Sequence, residues 1–170
     1  MSYDIAVVGA GVFGVWTAHQ LSLNGAAVLL LDAYGPGNSR ASSGGESRII
    51  RLGYGSDEIY SRSAQRSFVL WRELFEKVNQ TLFEPTGMLW LAREHDSYCE
   101  ATLTTFERIN AKYETLDHDE LVRRFPQFDL APVAWGILEP DAGVLLARRA
   151  VQAVAAQARA GGVLVPHRPG

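Results

Sequence analysis

Residues 5–14 read IAVVGAGVFG, an apolar strand pattern that ends in the glycine motif Gly-x-Gly-x-x-Gly. The pattern that follows predicts a helix over about Phe13–Asn24 and a second strand over Val28–Leu31, which ends at Asp32. Strand, glycines, helix, strand and acidic residue in this order are typical of a βαβ unit that binds a dinucleotide. A glycine-rich turn in an ordinary α/β core is the alternative, and the ordered arrangement argues against it.

The three glycines and the start of the helix each have a role in holding a pyrophosphate. Gly9 makes the tight turn off the strand, Gly11 lets the backbone approach the phosphates, and Gly14 lets the helix pack close to the sheet. The helix start, at Val12 and Phe13, offers unpaired N–H groups and a partial positive charge. These five residues form the predicted phosphate-binding loop.

Asp32 is the predicted ribose ligand of the same unit, because it follows Gly14 at close to the spacing that such units use. The glycines and Asp32 would serve NAD as well as FAD, so a nicotinamide-dependent dehydrogenase is an open alternative. The connection Ala33–Ser47 is long and rich in Gly, Ser, Asn and Pro, and a connection of this length is more often functional than idle. Together with the arginines that follow, it argues against that alternative.

Composition narrows the class of protein. The chain has 170 residues, of which 47% are hydrophobic and 21% charged, as in soluble globular proteins. The net charge of −3 gives no electrostatic reason to expect a nucleic-acid partner, and no apolar run predicts a membrane span. We expect no signal peptide, because Asp4 stands where a basic segment would be needed. The single cysteine, Cys99, is expected to be an ordinary helix thiol, which suits a cytoplasmic protein, and the histidines show no metal-ligand spacing.

The rest of the chain is predicted to form alternating helices and strands. The sequence pattern changes between about Leu82 and Leu138, which indicates a second, inserted domain. Ser56 is expected to cap a helix that carries a stripe of aromatic side chains. Two more helices are expected to begin at Ser97 and Asp117. Further elements are predicted as strands at Leu82–Glu84, Met88–Leu91, Ala134–Leu138 and Val163–Val165, and as a helix at Leu146–Ala160.

The segment Ser42–Arg51 is the second informative stretch, because it contains Arg48-Ile-Ile-Arg51. On a helical turn the two arginines would share a face and could line one site. Arginine suits the bidentate binding of a carboxylate or phosphate. A solvated surface turn explains the spacing about equally well.

Taken together, the sequence resembles the N-terminal part of the FAD-dependent amine oxidases related to monomeric sarcosine oxidase and N-methyltryptophan oxidase, within the D-amino-acid-oxidase group. Four segments carry the resemblance in the same order, and the second and fourth of them are more specific than the glycines alone. These segments are Gly9–Asp32, Gly44–Gly55, Glu84–Leu91 and Leu138–Leu145.

The resemblance implies an α/β fold with a Rossmann-like FAD-binding domain, in three β/β/α layers of the glutathione-reductase type. An incomplete FAD-binding domain is expected over residues 1–81 and 139–170. Part of an α+β substrate domain is expected over residues 82–138.

The same resemblance implies roles for particular residues. Gly9, Gly11, Gly14 and Asp32 would hold the ADP half of FAD. Ser42, Ser43 and Arg48 would lie beside the flavin, with Arg48 close to the isoalloxazine ring. Arg51 would receive the substrate carboxylate, with Tyr54 nearby. A positive charge beside the flavin would stabilise the anionic reduced ring.

The implied reaction removes a hydride equivalent from the carbon that bears the nitrogen of a secondary or N-methylated amino acid. The imine hydrolyses, and oxygen reoxidises the flavin to give hydrogen peroxide. Two departures from the family leave alternatives open. The first is that Ser43 and Gly44 stand where related oxidases often have histidines. The second is that the family's chains are more than twice as long, so this chain would be a fragment of such an oxidase, or a non-catalytic FAD-binding subunit that associates through an incomplete sheet.

Overall fold

The computed structural model describes Ser2–Pro166, so residues 167–170 of the predicted FAD-binding domain lie outside the described range. Helices and strands alternate along the chain. In order they are β1 (Ile5–Val8), α1 (Val12–Leu23), β2 (Val28–Leu31), β3 (Arg48–Ile50), α2 (Glu58–Val78), β4 (Phe83–Glu84), β5 (Met88–Ala92), α3 (Ser97–Ile109), β6 (Glu114–Asp117), α4 (His118–Arg124), β7 (Trp135–Glu139), β8 (Gly143–Leu145) and α5 (Ala147–Ala160).

The chain forms two compact units. Within the described range, the first unit consists of residues 2–48, 74–82 and 145–166, and the second of residues 49–73 and 83–144. The domain boundaries expected from the sequence remain a prediction.

The first unit contains the predicted βαβ motif. Strands β1 and β2 are parallel, with Ile5 opposite Val28 and Val8 opposite Leu31. Helix α1 packs against α5 and β2, and its side chains Val15 and Ala18 are fully buried. This packing follows from the glycine motif, which brings the helix back along the strand that precedes it.

The strand predicted at Val163–Val165 is reduced to a single parallel bridge between Leu29 and Leu164. Leu30 donates its backbone N–H to Leu164 over 2.8 Å, and Leu164 donates to Val28 over 3.0 Å. Pro166 follows directly and has no N–H to continue the ladder, which explains why the pairing stops there.

The second unit contains an antiparallel sheet in the order β5-β7-β6, with Ile137 of the central strand paired to Trp90 and Thr115. Ile137 and Phe106 of α3 are completely buried in one core cluster, and Leu121 of α4 is completely buried in another. A further sheet has the order β3-β8-β4. Strands β4 and β5, predicted on either side of a turn, therefore join different sheets.

The start of α3 differs from the prediction. Asp96, not Ser97, is the N-cap, and its carboxylate accepts the N–H of Cys99 over 2.9 Å. Burial and the nearby Asp96 raise the pKa of the Cys99 thiol to about 11, in keeping with an inert helix thiol. Asp117 caps α4 as predicted.

His19 lies on α1, where the sequence predicted an exposed side chain. That expectation is wrong, because only 6% of His19 is exposed. Burial and the neighbouring positive charge of Lys77 lower the pKa of its imidazole. Within the described part of the chain, no helix is both long and apolar enough to cross a membrane.

Candidate functional site: a dinucleotide loop and an arginine between aromatic rings

The turn from β1 into α1 is built in a way that requires glycine. Gly9 has a φ of +99°, in the region that side chains disfavour. A Cβ on Gly14 would lie 1.7 Å from the carbonyl oxygen of Gly9, so only glycine lets the helix approach the strand this closely. A Cβ on Gly11 would meet nothing within 4 Å. The loop therefore has open space above Gly11.

This open space lies at the N-terminus of α1. Gly11 is the N-cap and provides no side-chain hydrogen bond, so the first turn presents its N–H groups outward. Val12 donates its N–H to the Ser43 hydroxyl over 3.3 Å. Val8 and Phe13 are 82% and 87% exposed, an unusual position for large apolar side chains. The arrangement fits a bound pyrophosphate covered by further groups.

Asp32 links the glycine loop to the connection that follows β2. Its Oδ2 accepts the N–H of Ala10 over 2.7 Å, and its Oδ1 accepts the N–H of Tyr34 over 2.7 Å. The Asn38 side-chain amide donates to the same Oδ1 over 3.3 Å. Each carboxylate oxygen can accept more than one hydrogen bond, so Asp32 retains capacity for a ribose hydroxyl.

A cavity of about 390 Å³ opens beside Asp32 in the first unit. Residues of the connection and of α5 line it, among them Tyr34, Pro36, Gln152 and Arg159. Together with the glycine loop, this space fits the ADP half of a dinucleotide.

The connection itself has no helix or strand, as predicted. It is held from α5 by Arg148, which donates to the carbonyl of Gly44 over 2.9 Å and pairs with Glu46 over 3.1 Å. A Cβ on Gly44 would lie 1.9 Å from the carbonyl oxygen of Asn38. Glycine is therefore needed here for close backbone packing.

Ser42, Ser43 and Arg48 come together at the end of this connection. The guanidinium of Arg48 donates to the carbonyl oxygens of Ser47, over 2.7 Å, and of Ser42. Ser43 meets the start of α1 through the hydrogen bond from Val12. The residues predicted beside the flavin thus share one loop region, with Arg48 exposed to solvent.

Arg51 lies in the second unit, between two aromatic rings. Its guanidinium carbon is 4.7 Å from the centre of the Tyr54 ring and 4.8 Å from that of the Trp90 ring. It also donates to the carbonyl oxygen of Gly53. Among the described residues Arg51 forms no ion pair, which leaves charge and N–H groups for an anion.

The helical turn that was expected to align the two arginines is absent. Arg48–Ile50 is strand β3, and Arg51 follows it outside any helix. In an extended segment residues three apart point to opposite faces, so the shared face that a helical turn would give the two arginines does not form. The isoleucines between the arginines favour this extended conformation.

Glu139, at the end of β7, belongs to the segment Leu138–Leu145 that carries the family resemblance, but the sequence predicted no role for it. It is 2% exposed, and its carboxylate accepts three hydrogen bonds, from the N–H groups of Leu52 and Gly53 and from the indole of Trp90. A glutamate followed by Pro140 at the end of an apolar strand was the available signal.

The glycine loop and Asp32 define the class of the chain, an α/β protein with a Rossmann-like dinucleotide-binding unit. Its sequence matches the family described as FAD dependent oxidoreductase over residues 4–168. It is 32% identical over 164 residues to monomeric sarcosine oxidase of Bacillus sp. (strain B-0618), which covers 96% of this chain and 42% of that relative. It is 28% identical over 152 residues to N-methyl-L-tryptophan oxidase of Yersinia pestis (strain Pestoides F), covering 89% and 41%.

A solved structure agrees with these relatives. NikD, an unusual amino acid oxidase essential for nikkomycin biosynthesis, matches with a TM-score of 0.78 and 29% identity over 96% of this chain and 42% of its own. The chain belongs to the FAD-dependent oxidoreductase family, and both the predicted resemblance and the predicted fold class are confirmed. It spans about two fifths of the length of the curated relatives it matches.

Proposed function

We propose that the natural full-length protein is an FAD-dependent oxidase that acts on the C–N bond of a secondary or N-methylated amino acid. Oxygen is the electron acceptor, and the products are an imine and hydrogen peroxide. The observation that carries the proposal is the Arg51 guanidinium, held between Tyr54 and Trp90 without a carboxylate partner among the described residues. A cation presented in this way suits the carboxylate of an amino acid.

In this proposal the glycine loop holds the cofactor. Gly9 and Gly14 set the close approach of β1 and α1, while Gly11 and the N–H groups at Val12 and Phe13 face the pyrophosphate. Asp32 binds the ribose. Bound FAD supplies a two-electron acceptor for the substrate.

The residues beside the flavin supply charge and orientation. Arg48, with Ser42 and Ser43, places a cation and hydroxyl groups at the end of the connection, where they would offer positive charge and hydrogen bonds to the flavin ring. Arg51 binds the substrate carboxylate, and Tyr54 packs against its guanidinium. Binding the carboxylate at a fixed point orients the C–N bond for oxidation.

A second candidate follows from the two-stranded β1-β2 sheet, which gains only the bridge to Leu164 in the described part of the chain. A sheet this small leaves unpaired edges, so the 170 residues alone would be a non-catalytic FAD-binding subunit that requires partner strands. Steady-state peroxide formation by the isolated chain would contradict this candidate. For both candidates we propose a cytoplasmic location. Small molecules are the further partners in each case.

The test of the main proposal compares an N-methyl amino acid with its methyl ester, which lacks the negative charge. In the full-length protein, Arg51→Ala should reduce the kcat/KM ratio of acid to ester roughly 100-fold, chiefly through the KM of the acid. Arg123→Ala, which removes an exposed arginine paired with Glu120, is the matched control. An unchanged ratio in Arg51→Ala would refute the carboxylate role.

A further inference from the structure

The carboxylate of Glu139 is the most completely buried acidic group in the second unit, at 2% exposed. Both of its oxygens are used: Oε2 accepts the N–H of Leu52 over 2.6 Å, and Oε1 accepts the N–H of Gly53 over 3.2 Å. Oε1 also accepts the indole N–H of Trp90 over 2.7 Å. A carboxylate is costly to bury, and three donors of this kind offset that cost.

The identity of the three donors is informative. Leu52 and Gly53 are the two residues directly after Arg51, and Trp90 carries one of the two rings that its guanidinium contacts. The Glu139 carboxylate therefore holds both the backbone that follows Arg51 and the indole ring against which the Arg51 guanidinium packs.

Close packing around Gly53 supports this arrangement. A Cβ on Gly53 would lie 2.7 Å from Cζ2 of Trp90 and 3.1 Å from Oε1 of Glu139. Arg51 in turn donates to the carbonyl oxygen of Gly53. The backbone between Arg51 and Tyr54 therefore has little room to move, and the guanidinium is held in one place.

Glu139 does not neutralise Arg51 directly. Within Ser2–Pro166 the two side chains form no ion pair, and the hydrogen bonds of the carboxylate go to backbone and indole donors. The positive charge of Arg51 is consequently left available while its position is fixed.

We propose that Glu139 is a positioning residue for the substrate-binding arginine: by holding the backbone after Arg51 and the indole of Trp90, it preorganises the guanidinium for a substrate carboxylate. The inference rests on the proposed function, in which Arg51 receives that carboxylate. Preorganised binding groups are sensitive to displacements of about 1 Å, so the effect on substrate selection should be large.

Three variants of the full-length protein test it. Glu139→Gln replaces one acceptor oxygen with a donor, and Trp90→Phe keeps an aromatic ring while removing the indole N–H. Trp135→Phe is the matched control, because Trp135 lies on the neighbouring strand and donates its indole N–H to the carbonyl of Arg93 over 2.9 Å. The readouts are the kcat/KM ratio of an N-methyl amino acid to its methyl ester, and the Kd of acetate measured by the flavin absorbance change.

Glu139→Gln should lower the acid-to-ester ratio and weaken acetate binding roughly 10- to 100-fold, and Trp90→Phe should do so several-fold. Trp135→Phe should leave both readouts at the parent value. Should Glu139→Gln fail to fold, Trp90→Phe decides the question, because its phenyl ring keeps much of the apolar contact of the partly buried indole.

These results distinguish a failure of the positioning role from a failure of the proposed function. If Arg51→Ala loses the acid preference while Glu139→Gln and Trp90→Phe behave like Trp135→Phe, the positioning role is overturned and the proposed function stands. If Arg51→Ala keeps the acid preference, the proposed function fails and the positioning role fails with it.

Discussion

The Asp32 carboxylate accepts the backbone N–H of Ala10 over 2.7 Å, which joins the end of β2 to the centre of the glycine loop. A residue predicted to bind the cofactor therefore also shapes the loop that is predicted to bind the phosphates. The second oxygen holds the N–H of Tyr34 at the start of the following connection. Loss of the Asp32 carboxylate should therefore lower both the stability of the protein and its affinity for the cofactor.

Asp32→Asn is expected to destabilise the protein by roughly 1–2 kcal/mol, because an amide NH2 would face one of the backbone donors. The Kd for FAD should rise at least about tenfold. Asp4→Asn provides a control, since Asp4 accepts the N–H of Ala27 over 2.8 Å at the other end of the sheet. Denaturant unfolding and flavin fluorescence measure the two effects, and equal FAD affinities in the two variants would contradict the assignment.

The glycine loop offers a pair of variants with different consequences. Gly14→Ala would place a Cβ 1.7 Å from the carbonyl oxygen of Gly9, so it should cost roughly 3 kcal/mol of stability in addition to cofactor binding. Gly11→Ala meets no protein atom within 4 Å and should cost no more than about 1 kcal/mol of stability, because alanine is a poorer N-cap than glycine.

Gly11→Ala should nevertheless weaken FAD binding strongly, because its methyl group occupies the space proposed for the pyrophosphate. Isothermal titration of the apoprotein with FAD measures this effect, with thermal unfolding as the control for the fold. Parent-like affinity in Gly11→Ala would show that the pyrophosphate lies elsewhere.

His19 should make the protein sensitive to acid. Burial and Lys77 lower the pKa of its imidazole in the folded state, whereas the unfolded chain protonates near the ordinary value of 6.5. The unfolded state therefore binds the extra proton, and the stability contributed by neutral His19 is lost as pH falls below about 6.5.

The free energy of unfolding lost by pH 5.5 should be at most about 1.4 kcal/mol, which is the change that one proton causes over one pH unit. Urea unfolding of the parent and of His19→Leu at pH 7.5 and 5.5 measures it, and the variant should show the smaller pH dependence. His95→Gln, which changes an exposed histidine, is the control. Equal pH dependence in the parent and His19→Leu would rule out this source of acid sensitivity.

The sequence predicted the βαβ motif well because its signals are local. Apolar runs, glycine spacing and the acidic end of β2 all lie within residues 5–32. Strand β3 could not be read in this way, because three residues are too short to show an alternating pattern. Strand β8 also has only three residues, and β6 was missed because Leu116 is its one apolar residue, which gives no alternating pattern.

The site was harder to predict than the fold, because its contacts join distant parts of the sequence. The hydrogen bond between Leu52 and Glu139 depends on tertiary packing that no local periodicity encodes. The burial of His19 likewise depends on the elements around α1, since its polar side chain favours the surface by itself. Arg51 was predicted as a site residue from the paired arginines and the family resemblance, whereas its contact with the Trp90 ring follows only from the fold.

The most direct test of the central claim is an anaerobic titration of the full-length protein with an N-methyl amino acid, followed by the visible flavin absorbance. We expect the purified protein to carry FAD, the substrate to bleach the flavin band without added NAD, and oxygen to restore the band with release of hydrogen peroxide. A protein that carries FAD but is not bleached by any N-methyl amino acid, or one that lacks flavin and reduces NAD instead, would contradict the central claim.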